Sequence, residues 1–452
     1  MKRDAIAEWS SAGRPLTVAE MLEPLPSNAT NFAVLPIFIT AKREYAEISD
    51  FLSEPPSGSL RRRMEEMGKV SDGDGFRPKY FRSERNQEPD FSSWAELNGG
   101  EKTAAELLGN FDEKYRGILE ELREGLDRPY TVATRWHELA KDSDALFGRG
   151  QPITTLAKIV PGLALRAELA LEAERPEVCL DSLKMACRVA DLVAAENLFN
   201  GALAQVTCWS TLRPVLARGL DKEVWTEQQI QELRGVIAMG DERLSVRAIL
   251  DLETLAMIGS FTGYRKDRKR MAGIFEGYSR FAFTVAKTPL LRECVPAGWY
   301  DAFLARVIRM NLAQIQAFER SENLLEWCEA SAALDANEAA RGEFSRAILP
   351  DNDMGTHPRT LRERISYAMV KRVQCLLACD LAIFRKSKGR YPATLDELAS
   401  SYDIDPMNGK LFYYRLSDDG FVFYSVGVNG TDDGGDKGDD RRSHWNAPDW
   451  VW

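Results

Sequence analysis

The sequence predicts a mainly α-helical protein, in which a large multi-helix body, repeat-like or bundle in form, precedes a small α+β C-terminal region built on a long helix and a β-hairpin or short antiparallel sheet. Three observations predict it. Apolar residues recur at three- and four-residue spacing through most of the chain. An Ala- and Leu-rich tract fills 153–220. Beyond Gly389 the period switches to two, in 410-KLFYYRLS-417 and 421-FVFYSVG-427.

Taken in order, Phe32, Leu35, Phe38, Ile39, Tyr45 and Ile48 fall at helical spacing, which predicts one helix over about 28–52, capped by Asn28 and stopped by Pro55-Pro56. Residues 53–100 are rich in Pro, Gly, Ser and charge, and 71-SDGDG-75 reads as a turn, so an irregular surface excursion is expected. From Glu101 helical spacing resumes, with Leu107, Leu108, Phe111, Tyr115, Ile118, Leu119 and Leu122 on one stripe. The tract 156–176 and its continuation 178–220, broken at Arg175-Pro176, read as a helical hairpin. No 34-residue period establishes tetratricopeptide repeats. Amphipathic helices are expected near 226–258, 300–328 and 330–347, while 259–299 mixes Gly, Pro and aromatics. Residues 1–350 thus form the helical body and 351–359 a linker, 351-DNDMGTHP-358 being its clearest part. Residues 360–452 form the α+β region. Its helix, to about Ser387, carries the stripe Leu361, Ile365, Met369, Val373, Leu376, Leu377 and Phe384, and its hairpin turns at 418-DDG-420.

With 452 residues, 44% of them hydrophobic and 28% charged, the chain has ample material for a core. A formal charge of −10 repels phosphate backbones and anionic surfaces, so nucleic acid is not an expected partner. The basic runs at 61–63 and 265–270 read as solvated faces. Seven cysteines form no Cys-x-x-Cys pair, which argues against zinc; Cys375 and Cys379, one helical turn apart, suit an apolar packing face. No stretch supplies the eighteen or so apolar residues that cross a bilayer, and Met1 to Ser11 lacks a signal-peptide core. The chain opens inside what reads as an amphipathic helix. A membrane segment ahead of it is therefore an expectation, and the one route by which a membrane enters this reading.

Catalytic signatures are sparse. His137-Glu138 is half of a zincin motif, but Lys141 stands where the second His belongs. His357 and His444 join no recognisable triad, and phosphate-loop and dinucleotide motifs are absent. A non-enzyme is the expectation; the alternative is a hydrolase whose cleft in the helical body gathers residues distant in sequence. Trp445, Trp450 and Trp452 are expected to cover the hairpin's apolar face.

The segments 389-GRYPATLDEL-398, 403-DIDPMNGKLFYYR-415, 421-FVFYSVGVNG-430 and 432-DDGGDKGDD-440, with Trp445, run in the order of a known pattern. In these residues the chain resembles the C-terminal domain of the type II secretion major pseudopilins, where a long helix leads through a Gly-x-Tyr-Pro turn, a short helix and an Asp-Pro turn to a hairpin and a calcium-binding Gly/Asp loop. The resemblance covers roughly 360–452. On residue chemistry alone, clustered carboxylates between 432 and 440 repel one another unless a cation or solvent relieves them, and hard oxygen donors on a Gly-rich backbone suit calcium. The resemblance puts Asn429 and Asp440 in ligand-like positions, with Asp436, Asp439 and the 425–428 backbone as further candidates, and the carboxylate cluster itself adds Asp432 and Asp433. Two departures stand out. A prepilin leader and apolar stem are missing, so assembly into a pseudopilus is not expected. Lys371, Arg372, Arg385, Lys386 and Lys388 suit the 360–387 helix to a solvated surface. The chain also resembles large bacterial proteins that carry such a tail after a helical, often membrane-anchored, extracytoplasmic region. That implies a place in the cell envelope, periplasmic or at the surface, a protein partner, and a link to type II secretion-like assembly.

Overall fold

The structure is a computed structural model that describes residues 1–22, 24–39, 103–132, 137, 153–195, 199–240, 245–263, 297–339, 358–417, 420–438 and 447–452. These residues are mainly helical, with a small three-stranded antiparallel sheet near the C-terminus. The expected excursion at 53–100, residues 351–357 of the linker expected over 351–359, and the hairpin tip at 418–419 lie outside them, as does 264–296; the linker's last two residues, Pro358 and Arg359, instead open a helix.

The first helices are α1 (Lys2–Ser11), α2 (Pro36–Ile39), α3 (Ala104–Lys114) and α4 (Arg116–Glu124). A helix from Asn28 does not form. Asn31 instead pairs in parallel with Tyr130, its amide reaching both ways: Nδ2 donates to Val132 O at 3.0 Å and Oδ1 accepts from Val132 N at 3.0 Å. Arg188, fully buried, donates to Arg128 O at 2.7 Å and lies over the Phe32 ring, so the extended approach to Pro36 is fixed from two sides. The continuous stripe expected from 107 to 122 is two helices, broken where Tyr115 leaves helical geometry (φ −110°, ψ 21°). Thr103 caps α3 through a reciprocal pair with Glu106, which satisfies amides the helix cannot bond itself.

The Ala-rich tract folds as α5 (Ile153–Glu172), α6 (Pro176–Ala195) and α7 (Phe199–Asp221). Pro176 opens α6 at a position where its missing N–H is no loss. All three helices pack on one another. Next, α8 (Glu227–Ala238) and α9 (Val246–Gly263) divide the helix expected over 226–258. After α10 (Ala297–Arg320) and α11 (Leu324–Ala339) comes α12 (Pro358–Lys388), the longest element described. The break between α10 and α11 falls at 321–323, where Asn323 Oδ1 accepts from Glu326 N at 3.0 Å, rather than near 329.

α12 packs against α7, α8 and α11; α11 packs on α10, which also carries α1 and α9. Between Ile365 and Cys379 nearly every side chain of α12 is covered, so the helix is buried around its circumference rather than along one stripe. The expectation that Lys371 and Arg372 lie on a solvated surface is thereby corrected: they are 2% and 8% exposed. Burial of such groups is tolerable only with polar partners. Arg372 donates through Nε and Nη2 to Ile237 O, a carbonyl in the last turn of α8 that has no intrahelical partner of its own to satisfy. Lys371 Nζ donates to Val451 O at 2.8 Å and to Gln374 Oε1 at 2.8 Å, and Gln374 Nε2 donates to Trp450 O. At the far end of the helix Lys386 and Lys388 are exposed, as expected.

The sheet has the order β1-β2-β3, with β1 (Tyr413–Ser417), β2 (Gly420–Ser425) and β3 (Trp450–Val451). Tyr413 faces Tyr424 across the hairpin, and Tyr424 faces Val451. Phe421 and Phe423, two residues apart, share the buried face; Trp452 stacks on Phe423 at 5.6 Å, and Trp450 and Trp452 are buried as core residues. Trp445 lies outside the described residues.

Gly219 in α7 offers a check on this packing. A Cβ there would come within 2.0 Å of the Trp225 ring, whose Nε1 donates to Pro176 O at 3.0 Å. Gly219→Ala is expected to destabilise the chain by about 1–3 kcal/mol in urea denaturation. At exposed Gly235 in α8, where nothing lies within 4 Å, the same change should stabilise by up to about 1 kcal/mol.

Candidate metal site in the C-terminal loop

The loop leaving β2 is positioned by the turn that precedes the hairpin. Asp405 is fully buried; its Oδ1 accepts from Met407 N at 2.9 Å and its backbone N–H donates to Lys410 O at 2.6 Å. The turn's carbonyls serve α11: Leu324 N donates to Pro406 O at 3.0 Å and Leu325 N to Met407 O at 2.8 Å, supplying acceptors to amides at the helix start. Burial raises the Asp405 carboxyl to about 6, opposed by the Met407 amide and by the nearby Ser425 and Val426. Ser425 and Val426 end β2, so Asp405 ties the Asp-Pro turn to the strand where the loop begins.

Gly427 then turns the chain with φ +60°, and a Cβ there would meet Pro448 O at 2.8 Å, so the close approach of the returning segment requires glycine. Asn429 Nδ2 donates to Asp433 Oδ2 at 2.7 Å and its Oδ1 accepts from Thr431 N at 3.0 Å. Asp432 Oδ1 accepts from the Tyr424 hydroxyl at 2.7 Å and from Gly434 N at 3.0 Å. Burial, reinforced by that bond to a carboxylate, pushes the Tyr424 phenol well above its usual range. Asp436 Oδ1 accepts from Gly438 N at 2.8 Å. Gly435, at φ +85°, lies against the Tyr424 ring.

The centre of this loop is a residue the sequence reading passed over. Asp449 is 1% exposed, and its Oδ2 accepts from three backbone amides, Asp433 N at 3.1 Å, Gly435 N at 2.7 Å and Asp436 N at 3.2 Å. Its own N–H donates to Asp436 O at 3.0 Å. Asp449 Oδ1 is buried without a hydrogen-bond partner among the described residues. Burial raises the carboxyl's pKa, the Gly435 and Asp436 amides oppose the rise, and the nearby Asp433 and Asp432 charges add to it. The signal for this residue was a charged group between Pro448 and the run Trp450-Val451-Trp452, since a carboxylate inside an apolar terminus must have a built environment.

Of the anticipated ligands, the structure brings Asn429 and Asp433 into contact and sets Asp432 and Asp433 beside Asp449; Asp436 contributes backbone to the same nest while its carboxylate closes a local turn. Asp439 and Asp440 lie outside the described residues. Among the described residues no three His, Cys, Asp or Glu side chains converge as a metal cage. The donor chemistry nonetheless suits a hard cation: Asn429, Asp432, Asp433, Asp436 and Asp449 all carry side-chain oxygen, with the Arg415 guanidinium near Gly435, and Asp449 Oδ1, buried and without a hydrogen-bond partner among the described residues, is an acceptor that a cation would satisfy.

Elsewhere, a cavity little wider than a water molecule lies where α6, α7, α8 and α12 meet, lined by apolar groups with the Cys187 and Cys375 thiols. Those thiols, with Cys179, Cys208, Cys328 and Cys379, are buried and unpaired, and burial raises the pKa of each, which keeps them as inert thiols. Among the described residues no helix is long and apolar enough to cross a membrane. No known protein family, curated protein or solved structure matches the chain.

The Asp405 carboxyl predicts a pH dependence. Its folded-state pKa, about 6, lies above the ordinary carboxyl value of 3.8, so the folded chain holds the proton more tightly than the unfolded one. The stability this confers is complete below about pH 4 and falls by on the order of 3 kcal/mol as pH rises through about 6. Asp405→Asn, which keeps an acceptor for Met407 N, is expected to flatten that part of the curve in urea denaturation followed from about pH 4 to pH 7.

Proposed function

We propose that this chain is a non-catalytic cell-envelope protein, whose helical body presents a protein-interaction surface and whose C-terminal region is a pseudopilin-like module that holds calcium. The observation that carries the reading is the Gly/Asp loop. It leaves the β1-β2 ribbon directly after Tyr424-Ser425-Val426-Gly427, folds back onto that ribbon, and holds through its amides a buried carboxylate whose other oxygen has no donor among the described residues. The order of elements around it supports the same reading: long helix α12, a single helical turn at Leu395–Leu398, the Asp405-Pro406 turn, hairpin and loop. Loaded, the module would take a hard cation with side-chain oxygens from Asn429, Asp432, Asp433 and Asp436, and from Asp439 and Asp440 on the resemblance. The cation's part is structural, drawing like charges together that otherwise repel.

An envelope location, periplasmic or at the surface, rests on the resemblance. The six buried thiols are compatible with it, because a thiol without access or thiolate character does not enter exchange even in an oxidising compartment. A link to type II secretion-like assembly belongs to the same proposal, and co-purification with pseudopilins is the result it expects.

The calcium test is a thermal melt of the full chain. Calcium at about a hundredfold its dissociation constant is expected to stabilise the folded state by about 2.7 kcal/mol and raise the Tm by a few degrees, and a chelator to reverse the rise. An unchanged melt at millimolar calcium would remove the metal from this reading.

A further inference from the structure

We infer that Asp449 is itself a ligand of the loop's cation, and that the cation thereby locks the C-terminal strand β3 into the fold. This rests on the calcium reading above but adds a residue that no part of the resemblance supplies, since Asp449 lies beyond Trp445, the last residue that carries it. Three observations lead to it. The first is the division of labour between the two carboxylate oxygens. Oδ2 is held by the amides of Asp433, Gly435 and Asp436, so the carboxylate plane is fixed before any ion arrives. Oδ1 is buried and has no hydrogen-bond partner among the described residues. What sets this oxygen apart from other buried carboxylate oxygens without a hydrogen-bond partner, such as Asp405 Oδ2, is its place beside a loop of further carboxylates, where a ligated cation would satisfy it.

The second observation is the neighbourhood. Asp433 gives its backbone N–H to Asp449 Oδ2 at 3.1 Å, which sets Asp433 and its neighbour Asp432 beside the buried carboxylate. Each of these two carboxylates has one oxygen engaged, Asp432 Oδ1 with Tyr424 and Gly434, Asp433 Oδ2 with Asn429, which leaves the second oxygen of each available as a donor. These three carboxylates share one loop without converging on a single point, and a divalent cation would offset their mutual repulsion by drawing them together. No polar hydrogen from the described residues approaches Asp449 Oδ1 to do the same.

The third is what Asp449 is attached to. The next residues, Trp450 and Val451, are β3; they pair with Ser425 and Tyr424, and their carbonyls accept from Gln374 and Lys371 of α12. A ligand bond at Asp449 therefore joins the loop, the ribbon and the central helix at one point. The ion would order residues 447–452 as well as the loop.

The test uses the full chain and terbium, a calcium-sized luminescent probe, alongside calcium itself. Asp449→Asn keeps an oxygen for the three amides and replaces the ligating oxygen with an NH2 group. It is expected to weaken calcium and terbium binding by roughly tenfold or more, and to add one coordinated water to bound terbium, read from luminescence lifetimes in H2O and D2O; a purely structural role would not change that hydration. In the wild-type chain, calcium is expected to slow amide hydrogen exchange in 447–452 together with the loop, a measurement that holds even if the variant does not fold. If the wild-type chain binds neither ion, the calcium reading fails and this inference with it. If it binds, but the variant binds with equal affinity and hydration, or calcium protects the loop and leaves 447–452 unchanged, Asp449 is not a ligand while the calcium reading stands.

Discussion

A lysine ammonium and a glutamine amide at the middle of α12 lie in an otherwise apolar interior, where polar groups must be hydrogen-bonded or the fold is penalised by several kcal/mol. Lys371 and Gln374 meet that demand with the carbonyls of Val451 and Trp450. The chain's last strand is therefore part of the solvation of its central helix. Desolvation depresses the Lys371 pKa strongly, Arg213 and Lys437 push the same way, and Asp405 and Cys375 oppose. Only a terminus docked with its backbone facing the helix makes the site tolerable. Arg372, one residue on, applies the same rule in another direction, closing the end of α8 with its guanidinium. The polar residues of α12 thus decide which elements lie around it, while the apolar ones decide how closely.

This is also where sequence reading reached its limit. The helical class, the hairpin, the buried terminal tryptophans Trp450 and Trp452 and the apolar packing of Cys375 and Cys379 were legible, because each depends on local period or on residue type. Lys371 and Arg372 were misread, because a cation in a helical pattern normally marks the wet face, and nothing local announces that carbonyls from residues 451 and 237 will supply its partners. The helix start expected at Asn28 failed for a similar reason, while 40–52 lie outside the described residues. Asn31 has its partners at 130 and 132, a hundred residues away, and a long-range pairing of that kind overrides spacing. The breaks at Tyr115 and in the 226–258 stretch reflect a general weakness of periodicity, which continues smoothly through a kink that tertiary packing imposes.

The candidate site was legible in outline and incomplete in detail. Clustered aspartates and glycines mark a loop with cation chemistry from composition alone. Which oxygens face one another is set by the ribbon on which the loop lies and by a residue that returns from the terminus. Asp449 sits in a nest of three amides that the turns at Gly434 and Gly435 create, a geometry visible only once the chain has come back on itself. The same return brings Pro448 against Gly427, so backbone approach and carboxylate placement have one cause.

The sharing of α12 between the helices and the sheet bears on how this polypeptide can be divided. A fragment beginning at Pro358 would carry the residues of the ribbon and loop intact, yet would expose to water the sides of α12 that α7, α8 and α11 cover. Such a fragment would gather micelle-like around its bare helix or recruit a surrogate for the missing neighbours. Conversely, a truncation before Pro358 would leave α7 and α8 with an open trough where Arg372 once capped a helix end. Each half is the other's solvent shield.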